Sequence, residues 1–327
     1  MAVDQLPDSR RLAGILTAAE LLRAGVTRSE LRMLVGRGAL MSVGHGMYAR
    51  TALVNQLQAV KGGSTALALA VAAAGAGPDA IVSHRAAATL HGLQLLRRAR
   101  SDAIEVVRPP ATRGSRTARP GTQLHVAAVP PGQRTVVNSI PVTTVARTVV
   151  DLARTTSVRE GVVVADSALN GKQTTKSDLY SVIDACPRWP GIARARQVVD
   201  FSDGLAESAF ESIARVAFHD GGLPPPELQA SVGAEGRVIA RADFYWRAYS
   251  TIAETDGAAK YRDPGVARKQ LQRDADLRAA GFQVVHITWQ ELQISPDQVV
   301  QSIRAAFAQA ALLAKFSNLQ DEHIGAG

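Results

Sequence analysis

The first fifty residues carry apolar positions at helical spacing, followed by two short runs with the alternation of strands. The pattern predicts helices over residues 16–25 and 26–38 and a β-hairpin over residues 38–50. Thr17 and Glu20 have the spacing of a capping box at the first helix, and Thr27 and Glu30 repeat it at the second. Helix, tight turn, helix and hairpin is the layout of a winged helix-turn-helix, which we assign to residues 1–52.

The middle of the chain mixes helical and strand patterns. Helices are predicted within residues 51–77 and over 81–93, 142–154 and 158–170, and strands over 103–110 and 123–131. Residues 112–121 are rich in Gly, Pro and Arg and are predicted to form a loop between the two strands. We therefore expect residues 53–200 to form an α+β domain with a helical tail.

The pattern changes again at residue 201. Residues 201–313 predict the order α-β-β-β-α-β-α, and residues 314–327 are predicted to be a frayed tail. The fold class is therefore that of a multidomain protein that combines α/β and α+β parts.

Composition limits the classes of protein that fit. The 327 residues are 46% hydrophobic, which is enough for packed cores. A single cysteine rules out an intramolecular disulfide, and the apolar run at 64–77 is too short to span a bilayer. The first residues lack the apolar stretch of a signal peptide. We expect a cytoplasmic protein with no membrane contact.

Charge is distributed unevenly along the chain. Residues 1–200 hold 25 Lys and Arg against 13 Asp and Glu, whereas residues 201–327 hold 12 against 16. A basic front part is suited to a phosphate backbone, and an acidic back part is suited to a cation or to solvent.

The second predicted helix and the hairpin offer candidate DNA contacts. The second helix of a helix-turn-helix enters the major groove, and the wing lies on the backbone or minor groove. The candidate contacts from the helix and then the wing are Thr27, Arg28, Ser29, Arg32, Arg37, His45 and Arg50. Arg can bond guanine with two hydrogen bonds. The alternative is a small helical domain whose arginines are only solvated.

Several segments resemble the AbiEi-type antitoxins, the repressing partners in type IV toxin–antitoxin systems. They are ELLRAGVTRSELRMLVGRGAL with the Gly-Met-Tyr that ends the wing, SHRAAATLHGL, and IPVTTVARTVVDLA. The resemblance covers roughly residues 10–170. It implies a regulator that binds double-stranded DNA and represses its own promoter, with a cognate toxin as a further partner.

Two other features of the middle segment can be explained by a structural role as well as by a functional one. His84 and His91 stand seven residues apart on one predicted helix, too far for one metal ion, so we expect structural roles. Arginines cluster around the loop at 112–121. They fit a solubilising loop and an arm that contacts phosphates about equally well.

The stretch RADFYWRAYSTIAETDG, residues 241–257, places carboxylates in a predicted β-hairpin. Alternation predicts that Asp243 shares a face with Tyr245 and lies opposite Phe244. Glu254 and Asp256 share a face, and pairing around residues 247–249 would bring Asp243 near Glu254. Like charges this close favour a cation among them, and Mg²⁺ is the oxygen-seeking candidate.

The back third resembles the PD-(D/E)XK nucleases, in particular a bacterial branch related to very-short-patch-repair endonucleases. The matching segments are AESAFES, LPPPELQ, RADFYW, AETDG and GFQVVHITWQEL. The resemblance implies a restriction-endonuclease-like fold and metal-dependent cleavage of DNA, in defence or repair.

In that resemblance Asp243 and Glu254 bind Mg²⁺ and Glu211 assists, on a helix face that Glu207 is expected to share. Asp256 replaces the lysine of the broad pattern, and Lys260 stands where the branch commonly has histidine. Lys260 could orient the attacking water or simply pair with Asp256. The alternative is a nuclease-like domain that binds DNA or a partner without cutting it.

Overall fold

The computed structural model describes residues 14–59, 63–77, 79–96, 103–110, 120–234, 237–256 and 264–324. The chain divides into two compact units, Met1–Ser202 and Asp203–Gly327. In the described part of the chain, no helix combines the length and apolar character needed to cross a membrane.

The first unit begins with a small helical and strand segment. Its elements are β1 (Ile15–Thr17), α1 (Ala18–Arg23), α2 (Arg28–Gly36), β2 (Leu40–Gly44) and β3 (Met47–Arg50). The strands form an antiparallel sheet in the order β1-β3-β2. Both predicted capping boxes are confirmed, and Gly25 makes the turn between the helices with a φ of 88°. The arrangement is consistent with a winged helix.

The rest of the first unit surrounds a mixed five-stranded sheet in the order β6-β5-β4-β8-β7. Its elements are α3 (Thr51–Ala59), α4 (Gly63–Ala76), β4 (Ile81–Val82), α5 (His84–Leu90), β5 (Ile104–Arg108), β6 (Thr122–Val126), β7 (Arg134–Val137), β8 (Ile140–Thr143), α6 (Val145–Thr155), α7 (Val158–Asn170), α8 (Lys176–Asp184) and α9 (Ile192–Phe201).

One prediction in this region is corrected. The helix expected from residue 142 begins at Val145, and the residues before it form β8, the second strand of a hairpin with β7. β-Branched residues in that stretch favour the extended backbone, and Thr144 then caps the helix through its side chain.

The core of the first unit crosses the expected boundary at residues 52–53. Ile15 and Met47 of the N-terminal sheet belong to the same buried cluster as Leu69 of α4 and Val106 and Val142 of the central sheet. The N-terminal segment therefore shares apolar packing with the sheet that follows it.

The helices at the end of the first unit enclose a buried charged network. The Arg147 side chain is 1% exposed, and its Nε donates to Asp151 Oδ2 at 2.8 Å. Arg154 Nε donates to the other oxygen of Asp151 at 3.0 Å. The Trp189 ring lies within 4.5 Å of the Arg147 guanidinium and 4.9 Å of the Arg154 guanidinium. Two cations on one fully buried carboxylate satisfy its lone pairs.

The second unit has a four-stranded sheet in the order β12-β11-β10-β9, in which only the β11–β12 pair is parallel among the described strands. Its elements are α10 (Ala209–Asp220), β9 (Glu227–Ala234), β10 (Arg237–Trp246), β11 (Thr251–Asp256), α11 (Pro264–Ala279), β12 (Gln283–Thr288), α12 (Trp289–Ile294) and α13 (Pro296–Ile324). The closing helix continues to Ile324, so the expectation of a frayed tail from residue 314 is wrong as far as that residue.

Helices cover both faces of this sheet. On one face Phe218 of α10 packs edge-to-face against Phe244 of β10 with ring centroids 5.1 Å apart. On the other face Leu277 of α11 is fully buried in a cluster with Tyr245 and Ile252. Each carboxylate of the hairpin can therefore be assigned to the face covered by α10 or to the face covered by α11.

Candidate functional site

The helix α2 has one buried and one exposed side. Leu31 and Leu34 are buried in a cluster with residues of α1 and β2. Arg28, Ser29 and Arg32 are exposed, and the Nε of Arg32 lies 3.4 Å from the carbonyl of Arg28. The helix therefore presents two guanidinium groups and a hydroxyl to solvent from its first turns.

Thr27 is a candidate DNA contact, but it also has a structural role at the start of α2. Its hydroxyl donates to Glu30 Oε2 at 2.9 Å and accepts from the Glu30 backbone N at 3.2 Å. The bonds from the backbone and side chain of Thr27 lower the pKa of the Glu30 carboxyl below its usual value. The exposed Thr27 thus caps the helix that carries the arginines.

The remaining N-terminal candidates lie at the end of α2 and on the hairpin. Arg37 is exposed at the C-cap of α2, and His45 is exposed in the turn between β2 and β3. Arg50 ends β3 and is half-buried. The loop arginines at 97–100 and 113–119 lie outside the described residues.

The acidic hairpin pairs as predicted, with Phe244 opposite Ala253 and Tyr245 opposite Ile252. Asp243 Oδ2 accepts hydrogen bonds from the Thr255 backbone N at 2.9 Å and from its hydroxyl at 2.7 Å. Thr255 lies on the face of β11 opposite to Glu254, because side chains alternate along a strand. Asp243 therefore does not share a face with Glu254.

The predicted alternation around Asp243 is wrong. Phe244 packs on Phe218 of α10. Asp243 also faces α10, because its charge contributes to the raised pKa of Glu211, which belongs to that helix. In the paired strand, Gln229 faces Asp243 and has a left-handed backbone with a φ of 50°. Such an irregularity lets two successive side chains point to one face.

Glu254 and Asp256 face α11 instead. The Glu254 carboxylate is paired with the guanidinium of Arg273, and its side chain is only 3% exposed. Asp256 Oδ1 accepts from Gln270 Nε2 at 3.2 Å. The charge partner of Glu254 is therefore an arginine of the following helix.

A histidine that sequence reasoning missed joins this second set. His286 lies opposite Glu254 in the parallel β11–β12 pair. Its Nδ1 lies 3.1 Å from Asp256 Oδ2 and its Nε2 lies 2.7 Å from Asp274 Oδ2. Only the register of a parallel pair and the helical position of Asp274 reveal this contact, and neither is visible in a local motif.

Glu211 occupies the cap of α10. Its carboxylate accepts from Ser208 Oγ at 2.7 Å, from the Glu207 backbone N at 2.9 Å and from Gln229 Nε2 at 2.9 Å. Burial raises the pKa of Glu211, against the lowering effect of the bonds from Ser208 and Glu207, and the charge of Asp243 raises it further. This carboxylate therefore lies near Asp243 and is already heavily hydrogen-bonded.

Glu207 does not share a helix face with Glu211 as expected. The helix starts at Ala209, and Glu207 precedes the N-cap Ser208. Glu207 Oε2 instead bonds Arg241 at 2.9 Å, in a pair whose side chains are both about half exposed. Such an exposed pair contributes little to stability.

The predicted magnesium pair is not assembled. Mg²⁺ needs several oxygen atoms about 2.0–2.1 Å from one point, and Asp243 and Glu254 turn to different faces. Among the described residues, the acids of the second unit bring no three ligand atoms within 4.8 Å of one another. Lys260, the remaining catalytic candidate, lies outside the described residues.

Comparison with known proteins supports the N-terminal assignment. Residues 4–51 match the family model described as a transcriptional regulator, AbiEi antitoxin. Two uncharacterized proteins of Mycobacterium tuberculosis, MT2308 of strain CDC 1551 and Rv2248 of strain H37Rv, are each 30% identical over 156 residues. These alignments cover 48% of this chain and 58% of each relative, so the chain spans less than two thirds of their length.

A solved structure is also similar over part of the chain. The crystal structure of the RV2827C protein from Mycobacterium tuberculosis is 16% identical and aligns with a TM-score of 0.34, covering 61% of this chain and 74% of that one. This score is too low to carry an argument about the fold.

Proposed function

We propose that this protein is a DNA-binding transcriptional regulator of the AbiEi antitoxin type, and that α2 is its recognition helix. The observation that carries the proposal is the exposure of Arg28, Ser29 and Arg32 on α2, within a segment that matches the AbiEi antitoxin family. The buried Leu31 and Leu34 fix which side of the helix can enter a groove.

The charge of the front part supports double-stranded DNA as the ligand. Residues 1–200 carry 25 Lys and Arg against 13 Asp and Glu. Arg37, exposed at the C-cap of α2, extends the positive surface beyond the first turns of the helix. Phosphate contacts supply affinity, and contacts from α2 to base edges supply specificity.

The test starts from a DNA site selected from random duplexes with the full-length protein. Binding of that site is then measured by gel shift and fluorescence anisotropy between 50 and 200 mM salt. Wild-type affinity falls steeply with salt because bound counterions are released. The double variant Arg28→Ala plus Arg32→Ala binds roughly 100-fold more weakly, because each good base contact contributes about 1–3 kcal/mol.

Arg196→Ala is the matched control for this test. Arg196 is an exposed arginine of the same unit, with a side chain 50% exposed, and lies on α9. Arg196→Ala removes one positive charge, half of what the double variant removes, without touching α2. Its affinity for DNA should stay within about twofold of wild type, as exposed surface charges contribute little. Salt-independent binding, or a double variant that binds like wild type, contradicts the recognition helix.

We also propose autorepression and a cognate toxin as the protein partner. The match of residues 4–51 to the antitoxin family supports both. A reporter driven by the gene's own promoter is repressed by wild type and released in the Arg28→Ala plus Arg32→Ala variant. Co-expression with the neighbouring gene product tests the partner, and toxicity that wild type does not relieve rules out that product as the toxin.

Metal-dependent DNA cleavage by the second unit is the second candidate. The feature in its favour is the buried carboxyl of Glu211, whose pKa is raised chiefly by burial and further by the charge of Asp243. We propose that any Mg²⁺ there is held by these two carboxylates rather than by Asp243 and Glu254. The bound ion would supply an activated water, and Asp243 and Glu211 would place it.

A plasmid-nicking assay with Mg²⁺ tests this second candidate. Cleavage that is lost in Asp243→Asn and kept in Glu254→Gln supports it, because Glu254 faces the other side of the sheet. Circular dichroism confirms that both variants are folded. Absence of nicking by wild type on every DNA form leaves the regulator as the function.

A further inference from the structure

Three titratable side chains meet in the first unit on the sheet that follows the winged segment. His84 begins α5, Glu105 lies on β5 and His125 lies on β6. The register pairs Glu105 with Gln123 and Val107 with His125, so His125 is the diagonal neighbour of Glu105 on one face. One ligand atom from each of the three lies within 4.8 Å of the other two.

Glu105 and His84 are each held on one side by a neighbouring polar group. Glu105 Oε2 accepts from the Arg85 backbone N at 2.9 Å, and its Oε1 lies 3.5 Å from His125 Nε2. His84 Nδ1 lies 3.0 Å from Ser83 Oγ. Nε2 of His84 is buried and has no hydrogen-bond partner among the described residues.

An unpartnered buried nitrogen needs an explanation, since it costs about 1–3 kcal/mol. His84 also has a left-handed backbone with a φ of 49°, which is unfavourable for a residue with a Cβ. Its ring is stacked on that of His125 with centroids 3.7 Å apart. The fold thus holds two imidazoles together beside a carboxylate at the cost of local strain.

We propose that His84, Glu105 and His125 bind a divalent transition-metal ion of the zinc class. Two imidazoles and one carboxylate form a donor set that zinc uses with a fourth, open position. Mg²⁺ and Ca²⁺ prefer sites made only of oxygen atoms, so the imidazoles disfavour them. The His125 side chain is 19% exposed, which places the entry path and the fourth ligand on its side of the cluster.

Binding of the metal ion requires the three ligand atoms to move slightly closer together. At metal–ligand distances of about 2.0–2.1 Å, tetrahedral ligand atoms lie about 3.4 Å apart. Rotation of the partly exposed His125 ring can shorten the separations, while Ser83 keeps Nδ1 of His84 bonded as a supporting contact.

The ion would fasten α5 to the neighbouring strands β5 and β6. His91, for which we expected a structural role, is engaged elsewhere, because its Nε2 lies 2.7 Å from the carbonyl of Thr143. The metal site therefore joins residues from three elements rather than two turns of one helix. Since only the folded state assembles this set, a bound ion raises the stability of the first unit.

The test uses the full-length protein after treatment with a chelator, titrated with Zn²⁺ at pH 7 by calorimetry. We expect one ion per cluster and a rise in the thermal midpoint. Co²⁺ in place of Zn²⁺ should give the visible absorption of a four-coordinate site. Glu105→Gln keeps an acceptor for the Arg85 N–H, and His125→Gln changes the partly exposed member. Each should weaken binding at least about 100-fold, since even loss of a supporting contact costs 10–100-fold.

His45→Gln and His286→Gln serve as controls, one on the exposed wing and one in the second unit. Both should bind the ion like wild type. The proposal is overturned if wild type binds no Zn²⁺, or if His125→Gln retains the wild-type affinity and Co²⁺ spectrum. Loss of binding in His286→Gln alone would place the ion in the second unit and overturn it equally.

Discussion

Asp243 and Glu254 stand one step beyond the paired residues Phe244 and Ala253 of a single hairpin, yet their carboxylates turn to opposite faces of the sheet. Asp243 bonds Thr255 on the face covered by α10, and Glu254 pairs with Arg273 of α11. Two carboxylates on opposite faces cannot share one ion. The carboxylates of the hairpin thus form two groups. One group lies near Glu211, and the negative charge of the other is balanced by a cation from α11.

The first prediction concerns Arg273, which balances the buried Glu254. Arg273→Ala removes the guanidinium from a carboxylate that is 3% exposed. We expect the free energy of unfolding of the second unit to fall by about 1–3 kcal/mol, the cost of leaving a buried acceptor short of a partner. The estimate is kept low because Arg273 itself is 32% exposed. Urea denaturation measures the change.

Arg268→Ala is the control for this prediction. Arg268 lies on the same helix and is exposed. Its removal should change the unfolding free energy by less than about 0.5 kcal/mol, as expected for a surface substitution. Equal effects of the two variants would show that Glu254 does not depend on Arg273.

Local signals in the sequence predicted the two N-terminal helices, the hairpin after them and most of the order of the second unit, but they missed strand β1 and the short helix α12. Thr17 with Glu20 and Thr27 with Glu30 have fixed spacings that mark helix starts wherever they occur, and the structure shows both capping boxes. The hairpin at residues 241–256 was visible from its two strand-like runs and the short turn between them.

The orientation of side chains in the hairpin could not be predicted, because it depends on long-range detail. The left-handed backbone at Gln229 of β9 accompanies the break in alternation at Asp243, and nothing in the sequence near Asp243 signals it. The partners Arg273 and His286 come from elements that follow later in the chain. The grouping of His84, Glu105 and His125 likewise needs the strand register of a mixed sheet.

The second prediction compares one substitution at a buried and an exposed ion pair. Asp151 is 0% exposed and binds both Arg147 and Arg154, so Asp151→Asn leaves two cations short of their counter-charge. We expect a loss of about 3–5 kcal/mol of stability in the first unit. Asp184→Asn makes the same change in a pair with Arg196, where the side chains are 66% and 50% exposed.

For the exposed pair we expect a loss between zero and about 1 kcal/mol. Thermal and urea denaturation of both variants gives the comparison. If Asp151→Asn were no more harmful than Asp184→Asn, the buried network would not stabilise the fold.

The third prediction separates the capping role of Thr27 from a role in DNA binding. Thr27→Ala removes the hydroxyl that accepts from the Glu30 N, and should lower stability by about 1 kcal/mol. Thr27→Ser keeps the hydroxyl and should restore most of the loss. Below the melting transition, Thr27→Ala should weaken binding of the selected DNA less than Arg28→Ala does. A larger effect on DNA binding than on stability would show that Thr27 contacts DNA directly.

The last prediction concerns the pH dependence that His84 gives to the first unit. The pKa of His84 is lowered from 6.5 to about 4, chiefly by burial; the charges of Asp151 and Glu105 oppose this and those of His125 and Arg154 add to it. Between pH 6.5 and pH 4, His84 is therefore protonated in the unfolded chain but neutral in the folded chain. The contribution of His84 is fully present above pH 6.5 and is lost as the pH falls through this window.

The size of that loss is about 3 kcal/mol, because each unit of pKa difference corresponds to about 1.4 kcal/mol. Urea denaturation with EDTA present, at intervals from pH 7 to pH 4.5, measures the slope without bound metal. His84→Gln has no such proton and should flatten the slope, whereas His45→Gln, on the exposed wing, should keep it. A slope unchanged by His84→Gln would mean that His84 is not held neutral, and the acid sensitivity would then arise from other groups.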